Sequence, residues 1–306
     1  MTITTRRDAL SIAVGGWLSA CTGLRPSPQP NPIEVLEQRV GGRIGAMMRD
    51  PATGRMLAWR EHERFAHCSS FKLSLAAWVL DGARRGLWPA DERLRWTQDM
   101  LLSNSPATTS ALASGLTLVE LARAVVVFSD NTGANVLLHR MGGPEAMTAW
   151  WRSIGDNVSR LDRFEPDLNR VPPGSLPDTT TPAAMMLTVE MLVSGDILQP
   201  RDRDRLTSWM AESQTGLRRV RAAVLPDWLT GDKTGTSLSP VNVTYVDLAF
   251  AGPVGKQPLI MAIWYEPAAA ERELSPAAEA VVPISDTKPP AWATVEATRK
   301  ASGSSV

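Results

Sequence analysis

The chain is organised around the stretch CSSFKLSLAAWVLDGARRG at residues 68–86. From Ser69 to Arg85 the residues are apolar on nearly every side of a helical turn, and Gly86 follows as a helix terminator. This pattern predicts a buried central helix. Ser69 and Lys72 are three residues apart, which brings both side chains to one face of that helix, whereas Ser70 points elsewhere.

Strand patterns flank the central helix at a distance. Two apolar segments, Arg43 to Met48 and Arg55 to Trp59, surround turn residues and predict a β-hairpin. Val243 to Ala251 and Leu259 to Tyr265 predict paired strands. A long aperiodic segment between Leu161 and Pro182 predicts a functional loop. Further helices are predicted over Ile33 to Val40, Thr117 to Phe128, Thr132 to Met141, Gly143 to Ile154, Thr181 to Leu192 and Arg201 to Glu212.

This order of elements predicts an α+β fold. An antiparallel sheet is built from both chain ends, and an all-α lobe is inserted between its two halves. We assign residues 33–65 and 213–306 to the sheet lobe and residues 66–212 to the all-α lobe, with the active site between them. Residues 268–290 fit no element, and Ala291 to Ser302 predict a helix that closes the sheet.

The N-terminus reads as an export signal. Arg6 and Arg7 precede an apolar segment, Ala9 to Ala20, that is too short to span a bilayer as a helix. The segment ends in Leu18-Ser19-Ala20-Cys21, which resembles a bacterial lipobox, so residues 1–21 predict a signal peptide whose cysteine is lipidated. Residues 22–32 are rich in proline and predict a stiff spacer. We expect a periplasmic protein held at the membrane only by this anchor, and the paired arginines suggest twin-arginine export.

Composition favours a small-molecule substrate. Of the 306 residues 43% are hydrophobic and 21% are charged, as in an ordinary globular protein. The 32 basic and 32 acidic residues cancel, so there is no overall field to attract nucleic acid or an anionic membrane. The two cysteines leave one free thiol, Cys68, if Cys21 carries lipid.

A serine needs help to act as a nucleophile. Its hydroxyl requires a nearby base, and the oxyanion that forms requires hydrogen-bond donors. Three short motifs supply such groups in order along the chain, and together they form a signature of serine acyl-transfer enzymes. They are Ser69-x-x-Lys72, Ser129-Asp130-Asn131 and Lys233-Thr234-Gly235.

From about Ile33 to Tyr265 the chain resembles the class A serine β-lactamases. Besides the three motifs, the run RLDRFEPDLN at residues 160–169 looks like the omega loop of that family, and DTTTP at residues 178–182 looks like the exit from that loop. The resemblance implies hydrolysis of penicillins and cephalosporins through a serine acyl-enzyme. It implies no cofactor and no metal, and we expect a monomer.

The resemblance also implies roles for the motif residues. Ser69 would attack the lactam carbonyl, and the backbone amides of Ser69 and Thr236 would form the oxyanion hole. Lys72 and Glu165 are both candidates for the base in acylation, and the choice between them stays open. Ser129 would protonate the leaving lactam nitrogen, with Lys233 adjusting its electrostatic environment.

Other residues would bind substrate or water. Glu165 and Asn169 would hold the water that hydrolyses the ester, next to a cis bond at Pro166 and in a loop braced by Arg163 and Asp178. The substrate-binding set comprises Asn131 for the acylamide, Lys233, Thr234 and the neighbouring Gly235 and Thr236 on the carboxylate side, and Arg219 as a second carboxylate anchor.

Three positions depart from the family pattern. Asn104 stands where many relatives carry an aromatic residue at the rim of the site. Ser237 follows Thr236 where a glycine is usual. In one carbapenem-hydrolysing subgroup a cysteine beside the nucleophile pairs with one on this strand, but here Cys68 faces Ser237, so that bridge cannot form. The sequence therefore leaves the range of lactams open.

Alternative functions use the same three motifs. A D,D-peptidase would act on cell-wall peptides, and a β-lactam-binding protein without turnover would trap the drug as an ester. A lipoprotein scaffold with a decayed site is a third alternative. Glu165 with Asn169 argues against the first two, and the intact motifs argue against the third. The histidines His62, His67 and His139 lack metal-ligand spacing, so we expect structural roles for them.

Overall fold

The structure, a computed structural model, describes residues 30–239 and 242–268. In this part of the chain five strands form one antiparallel sheet in the order β2-β1-β9-β8-β7. The first two strands come from one end of the chain and the last three from the other, which confirms the predicted α+β fold. The strands are β1 (Arg43–Arg49), β2 (Met56–Trp59), β7 (Trp228–Ser239), β8 (Asn242–Pro253) and β9 (Leu259–Glu266), and the two-residue strands are β3 (Phe65–Ala66), β4 (Arg93–Leu94), β5 (Leu116–Thr117) and β6 (Thr179–Thr180).

The seven helices predicted within the described residues are all present, each to within a few residues. The bounds are α1 (Pro32–Val40), α2 (Phe71–Arg84), α3 (Pro106–Ser110), α4 (Leu118–Val127), α5 (Asn131–Met141), α6 (Gly143–Ser153), α7 (Pro182–Val193) and α8 (Pro200–Ala211). Short 3₁₀ turns cover Cys68–Ser70, Gln98–Met100, Asp167–Asn169 and Val220–Ala223. No helix within the described residues is long and apolar enough to cross a membrane.

Several predictions fall outside the described residues. These are the signal peptide with its lipobox, nearly all of the proline-rich spacer and the closing helix over Ala291 to Ser302. The lobe boundaries at residues 65/66 and 212/213 also stay a prediction.

Helix α2 is the centre of the helical part, as its sequence predicts. Nearly all of its residues are buried, and it packs against α4, α5 and α6. Trp78, Trp150 and Trp151 are buried in the same core. The helix begins directly after the turn Cys68–Ser70, which lies against β7. The core therefore holds Ser69 at the junction of the helices and the sheet.

Strand β7 was not predicted from its residue pattern. It runs from Trp228 to Ser239 and contains the motif Lys233-Thr234-Gly235 near its middle. Its residues are mainly small and polar, so it lacks the alternation of apolar side chains that marks a half-buried strand. It pairs with β8 along its whole length and lies at the edge of the sheet, with its other side towards the turn at Ser69. Helix α3 was also missed, because it is only five residues long.

Asp130 joins the amino-terminal ends of two helices. Its carboxylate caps α5 by accepting from the Gly133 amide at 2.8 Å. The same group accepts from the amides of Ala107 and Thr108 in α3, both at 3.0 Å, and from the Thr108 hydroxyl at 2.8 Å. A carboxylate is favoured at both positions because helix amino termini carry partial positive charge. Asp130 thereby fixes the turn that carries Ser129.

Replacing Asp130 by Ala should therefore be strongly destabilising. The change leaves buried donors without their acceptor, so we expect the free energy of unfolding to fall by about 3 kcal/mol or more. Urea unfolding monitored by tryptophan fluorescence measures this loss. Asp167→Ala is the matched control, because that side chain is 62% exposed and has only a 3.4 Å ion pair with Arg170. A similar loss in both variants would contradict this account of Asp130.

Candidate active site

Ser69 and Ser70 have different surroundings in the turn before α2. The Ser70 hydroxyl is buried and donates to the His67 carbonyl at 2.8 Å. Ser69 is partly exposed, and its Oγ lies 2.9 Å from Lys72 Nζ. Cys68, just before it, has a φ of 45°, a strained value for a residue with a side chain. Of the two hydroxyls, that of Ser69 is therefore the one beside Lys72.

Lys72 Nζ lies at the centre of the site. It is 2.9 Å from Ser69 Oγ, from the Ser129 carbonyl and from Glu165 Oε1, and it also donates to Asn131 Oδ1. An ammonium group has three hydrogens, so it cannot donate to all four acceptors at once. Ser69 Oγ is also 3.3 Å from Glu165 Oε1. The serine proton thus has a route to either of the two predicted bases.

Ser129 connects the helical motif with the sheet. It has a φ of 58° at the junction of α4 and α5, another strained position at this site. Lys233 Nζ donates to Ser129 Oγ at 3.0 Å and to the Thr234 carbonyl at 2.6 Å. Burial, and secondly the positive charge of Lys72, lower the pKa of Lys233 well below its usual range. Because Ser129 Oγ accepts a hydrogen bond from Lys233, its own hydroxyl proton can be donated to another group.

Glu165 is held on both its backbone and its side chain. Asn135 Oδ1 accepts from the Glu165 amide and Asn135 Nδ2 donates to the Glu165 carbonyl, each at 2.9 Å. Asn169 Nδ2 donates to Glu165 Oε2 at 2.6 Å. The peptide bond between Glu165 and Pro166 is cis. The loop therefore places Glu165 between Lys72 and Asn169.

An ion pair and backbone hydrogen bonds hold the rest of the loop in place. Arg163 Nε and Asp178 Oδ2 form an ion pair, and Asp178 Oδ1 accepts from the amides of Asp162 and Arg163 at 2.8 and 3.0 Å. The predicted pair is therefore present, and the Asp178 carboxyl is fully buried within it. These contacts tie the entry of the loop to its exit.

Strand β7 approaches the serine turn closely. A side chain at Gly235 would place its first carbon 3.0 Å from the Ser69 amide nitrogen and 2.9 Å from the His67 carbonyl. Only glycine allows this approach. Because β7 is the edge strand, its outer backbone groups have no neighbouring strand and face the turn. Thr236, the next residue, is exposed beside the same opening.

Arg219 also reaches β7. Its guanidinium donates to the Gly235 carbonyl at 2.9 Å and makes shorter hydrogen bonds to the Val246 carbonyl and Thr236 Oγ1. Thr234 Oγ1 donates to Thr215 Oγ1 at 2.6 Å. The predicted carboxylate-binding residues thus lie together along this strand.

Asn131, the residue predicted to bind the acylamide of the substrate, is hydrogen-bonded within the protein. Asn131 Oδ1 accepts from Lys72, and Asn131 Nδ2 donates to the Ser103 carbonyl at 2.8 Å. Asn104, which replaces the aromatic residue at the rim, is exposed and donates from Nδ2 to the Ser129 carbonyl at 3.1 Å. The rim is therefore polar at this position.

Sequence reasoning gave no role to several residues that shape the site. Asp130 stood within a recognised motif and Asn135 follows that motif by four residues, but the contacts of neither could be inferred from it. Ser237 Oγ donates to the Asn169 carbonyl at 2.8 Å, so it joins β7 to the loop. Cys68 is buried and free, and burial raises the pKa of its thiol. In the sequence, the only sign of this contact with Asn169 was that Ser237 follows Thr236 where a glycine is usual.

The histidines lie outside the reacting groups. His67 is buried and stacks on Trp151 with ring centroids 4.9 Å apart, and burial lowers its pKa to about 3. His139 stacks on Phe164 at 4.3 Å. In the described part of the chain no group of three or more His, Cys, Asp or Glu side chains could hold a metal ion.

Two buried acids lie behind β7, and the sequence gave no sign of either. Asp232 and Asp247 are on neighbouring strands, on the same face of the sheet as Thr234. Burial, and secondly the charge of Asp232, raise the pKa of Asp247 to about 7. The pKa of Asp232 is also raised by burial.

Comparisons with known proteins agree with this geometry. The model of the β-lactamase enzyme family matches residues 31–288. The carbapenem-hydrolysing β-lactamase KPC of Klebsiella oxytoca is 40% identical over 233 residues, which cover 76% of this chain and 79% of that protein. A β-lactamase of Streptomyces lavendulae is 41% identical over 272 residues, which cover 85% and 88%. A solved ancestral class A β-lactamase (GNCA) is 43% identical with a TM-score of 0.74, covering 79% of this chain and 93% of that one.

Replacing Asp247 by Asn should remove a pH dependence of stability. The carboxyl pKa is about 7 in the folded protein and about 4 in an unfolded chain, so between these values only the folded state holds the proton. The stability from this group is therefore fully present below pH ~4 and is lost as the pH rises through ~7. Urea unfolding at several pH values should show the wild type losing a few kcal/mol relative to the variant over this range. A difference independent of pH would contradict the raised pKa.

Proposed function

The chain belongs to the class A serine β-lactamases, and we propose that it hydrolyses the β-lactam amide of penicillins and cephalosporins through an ester on Ser69, conferring resistance to these drugs. The observation that carries this proposal is the position of Glu165. Its carboxylate lies 2.9 Å from Lys72 Nζ, 3.3 Å from Ser69 Oγ and 2.6 Å from Asn169 Nδ2. The same carboxylate can therefore accept a proton from the Ser69 nucleophile and hold the water that hydrolyses the ester.

The first step forms the ester. Ser69 Oγ attacks the lactam carbonyl while its proton passes to Lys72 or Glu165, both of which are within reach. The amides of Ser69 and Thr236 stabilise the oxyanion, which the close approach of Gly235 to the Ser69 amide supports. Donors placed in advance need no reorganisation when the negative charge develops. Each such donor contributes about 3 kcal/mol in comparable enzymes.

The second step releases the lactam nitrogen. The carbon–nitrogen bond breaks, the nitrogen takes the proton of Ser129 Oγ, and Ser129 regains the proton that Ser69 gave up in the first step, which leaves the base free for the third step. Lys233 donates to that oxygen at 3.0 Å and so stabilises it as the proton leaves. Lys72 lies 2.9 Å from the Ser129 carbonyl, on the other side of the same residue. Both lysines thus contact Ser129, Lys233 at the hydroxyl and Lys72 at the carbonyl.

The third step separates a β-lactamase from a protein that only traps the drug. A water held by Glu165 and Asn169 attacks the ester and Glu165 accepts its proton. The bond to Ser69 Oγ then breaks as that oxygen takes the proton back, which frees the serine and the hydrolysed drug. Asn135 and the Arg163–Asp178 pair keep this carboxylate in place. A D,D-peptidase or a binding protein without turnover would not need such an arrangement, so we set these alternatives aside.

Substrate binding uses the two sides of the cleft. We assign the acylamide of the drug to Asn131. On binding, the side-chain amide of Asn131 would leave the Ser103 carbonyl and donate to the drug instead. We assign the drug's carboxylate to the β7 side, where Lys233, Thr234 and Thr236 converge with Arg219. The hydrogen bond from Arg219 to Thr236 Oγ1 supports this second assignment. Guanidinium is suited to the role because it can bind a carboxylate through two parallel hydrogen bonds.

We further propose that the protein is exported to the periplasm, by the twin-arginine route, and anchored there by lipid on Cys21. The apolar segment before Leu18-Ser19-Ala20-Cys21 and the proline-rich spacer after it support this location. We propose that it acts as a monomer.

Glu165→Ala should convert the enzyme into one that is trapped as an ester. Acylation can proceed through Lys72, but the water lacks its base, so intact-protein mass spectrometry should find the mass of penicillin added for minutes or longer. Ser69→Ala should show neither adduct nor hydrolysis of a chromogenic cephalosporin. Ser70→Ala is the matched control and should retain hydrolysis, because its buried hydroxyl only caps the turn. Rapid release of the adduct from Glu165→Ala would contradict the role of Glu165.

Cys21→Ala should release the protein from the membrane. Without the thiol no lipid can be attached, so immunoblots of cell fractions should show the protein shifting from the membrane to the soluble fraction. Ser27→Ala in the spacer is the matched control and should remain bound. An unchanged membrane fraction for Cys21→Ala would argue against the anchor.

A further inference from the structure

The segment around Val220 crosses the face of the sheet behind the active site. On β7 and β8 this face carries Asp232, Thr234 and Thr236 opposite Ala249, Asp247 and Tyr245. Thr234 of the third motif therefore shares this face with the two buried acids. The crossing segment leads into the 3₁₀ turn Val220–Ala223.

Three consecutive residues of this segment each contact the sheet. Arg219 places its guanidinium on Thr236 Oγ1 and lies 5.6 Å from the centre of the Tyr245 ring. The Val220 amide donates to Asp247 Oδ2 at 3.0 Å. Arg221 Nη1 is 3.7 Å from Asp232 Oδ1. The contact of Asp247 is thus the central one, directly beside the backbone of Arg219.

We infer that Asp247 is a positioning residue for the substrate's carboxylate: by accepting from the Val220 amide it fixes the backbone of Arg219 and so holds the guanidinium on the edge of β7. This inference rests on the proposed function of Arg219. Asp247 itself is buried, so in this proposal it acts only through Arg219.

The geometry explains why Arg219 needs such support. Its backbone has φ −111° and ψ −132°, outside the helical and strand regions. Hydrogen bonds from the Arg219 amide to the Gly216 carbonyl and from the Ala222 amide to the Arg219 carbonyl, both 3.0 Å, hold it within its own turn, but they do not join that turn to the sheet. The side chain is long and rotatable, and ordering it costs about 2 kcal/mol of conformational entropy. A misplacement of about 1 Å is enough to spoil recognition by paired hydrogen bonds. The hydrogen bond from the Val220 amide to Asp247 joins this turn to β8 and so sets where the arginine side chain begins.

Charge supports the same arrangement. The charged groups that act on Asp247 include Asp232 on β7, Lys233 on β7 and Arg219 on the crossing segment. Arg221 lies beside Asp232 and also donates to the carbonyls of Ser213 and Ala211 at 2.7 and 2.8 Å. The positive charges of Arg219 and Lys233 lower the pKa of both acids and so oppose the effect of burial.

The test is a double-mutant cycle read on two substrates. Kinetics are measured for Arg219→Ala, Asp247→Ala and the double variant with benzylpenicillin and with its methyl ester, which has no free carboxylate. On benzylpenicillin we expect each single change to raise KM about tenfold and kcat to change less than threefold. The double variant should be no more than threefold worse than Arg219→Ala, since Asp247 acts through it. On the ester, neither single change should raise KM more than threefold.

Controls separate positioning from loss of structure. Asp247→Asn keeps an acceptor for the Val220 amide and should keep KM within threefold of the wild type. Asp156→Ala removes another buried carboxylate, which accepts from Val158, Ser159 and Thr188 away from the site. It should lower stability without changing KM. If Asp247→Ala does not fold, Asp247→Leu fills the space with apolar atoms, removes the acceptor and is read in the same way.

The results that would contradict the role of Arg219 differ from those that would contradict only the role of Asp247. If Arg219→Ala leaves KM for benzylpenicillin unchanged, the proposed role of Arg219 fails and this inference fails with it. If Arg219→Ala raises KM but Asp247→Ala does not, only the role of Asp247 fails. Multiplicative effects in the double variant, or an equal loss on the ester, would show that Asp247 acts independently of Arg219 and would overturn the inference.

Discussion

The site depends on one buried ion pair, between Lys72 and Glu165. Both side chains are 0% exposed and their charged atoms are 2.9 Å apart. Removing two charges from water costs several kcal/mol each, which an ion pair offsets only when other polar groups complete its surroundings. Here Ser69, Asn131 and the Ser129 carbonyl surround the lysine, and Asn169 completes the carboxylate. The groups that satisfy this pair are the groups that the chemistry uses.

This constraint explains the architecture around the site. Lys72 is fixed by a helix buried in the core, whereas Glu165 is carried by a loop that has little regular structure. The loop is therefore held by side chains: Asn135 binds the backbone of Glu165, and Asp178 joins the two ends of the loop. Ser237 adds a contact from the sheet to Asn169. Three separate parts of the fold thus meet at one carboxylate.

The sequence predicted the helices and the reacting residues better than their supports. Strong apolar periodicity marked the helices, and the motifs marked Ser69 and Lys72. Strand β7 carried no such signal, since the strand is mainly small and polar residues. No role was predicted for Asp247, because it lies within a strand of ordinary pattern and its hydrogen-bond partner, Val220, is on another segment. Contacts between residues far apart in sequence have no local signature in a single chain, so these supports became visible only in three dimensions.

The central claim is that the ester on Ser69 forms and is then rapidly hydrolysed with the help of Glu165. The most direct measurement is a single-turnover experiment on the wild-type enzyme, with excess enzyme over benzylpenicillin, acid quenching on the millisecond scale and intact-protein mass spectrometry. The account predicts that the penicillin adduct appears and then decays at a rate at least equal to kcat, leaving hydrolysed product. An adduct that persists after many turnover times, or product without any adduct on Ser69, would contradict it.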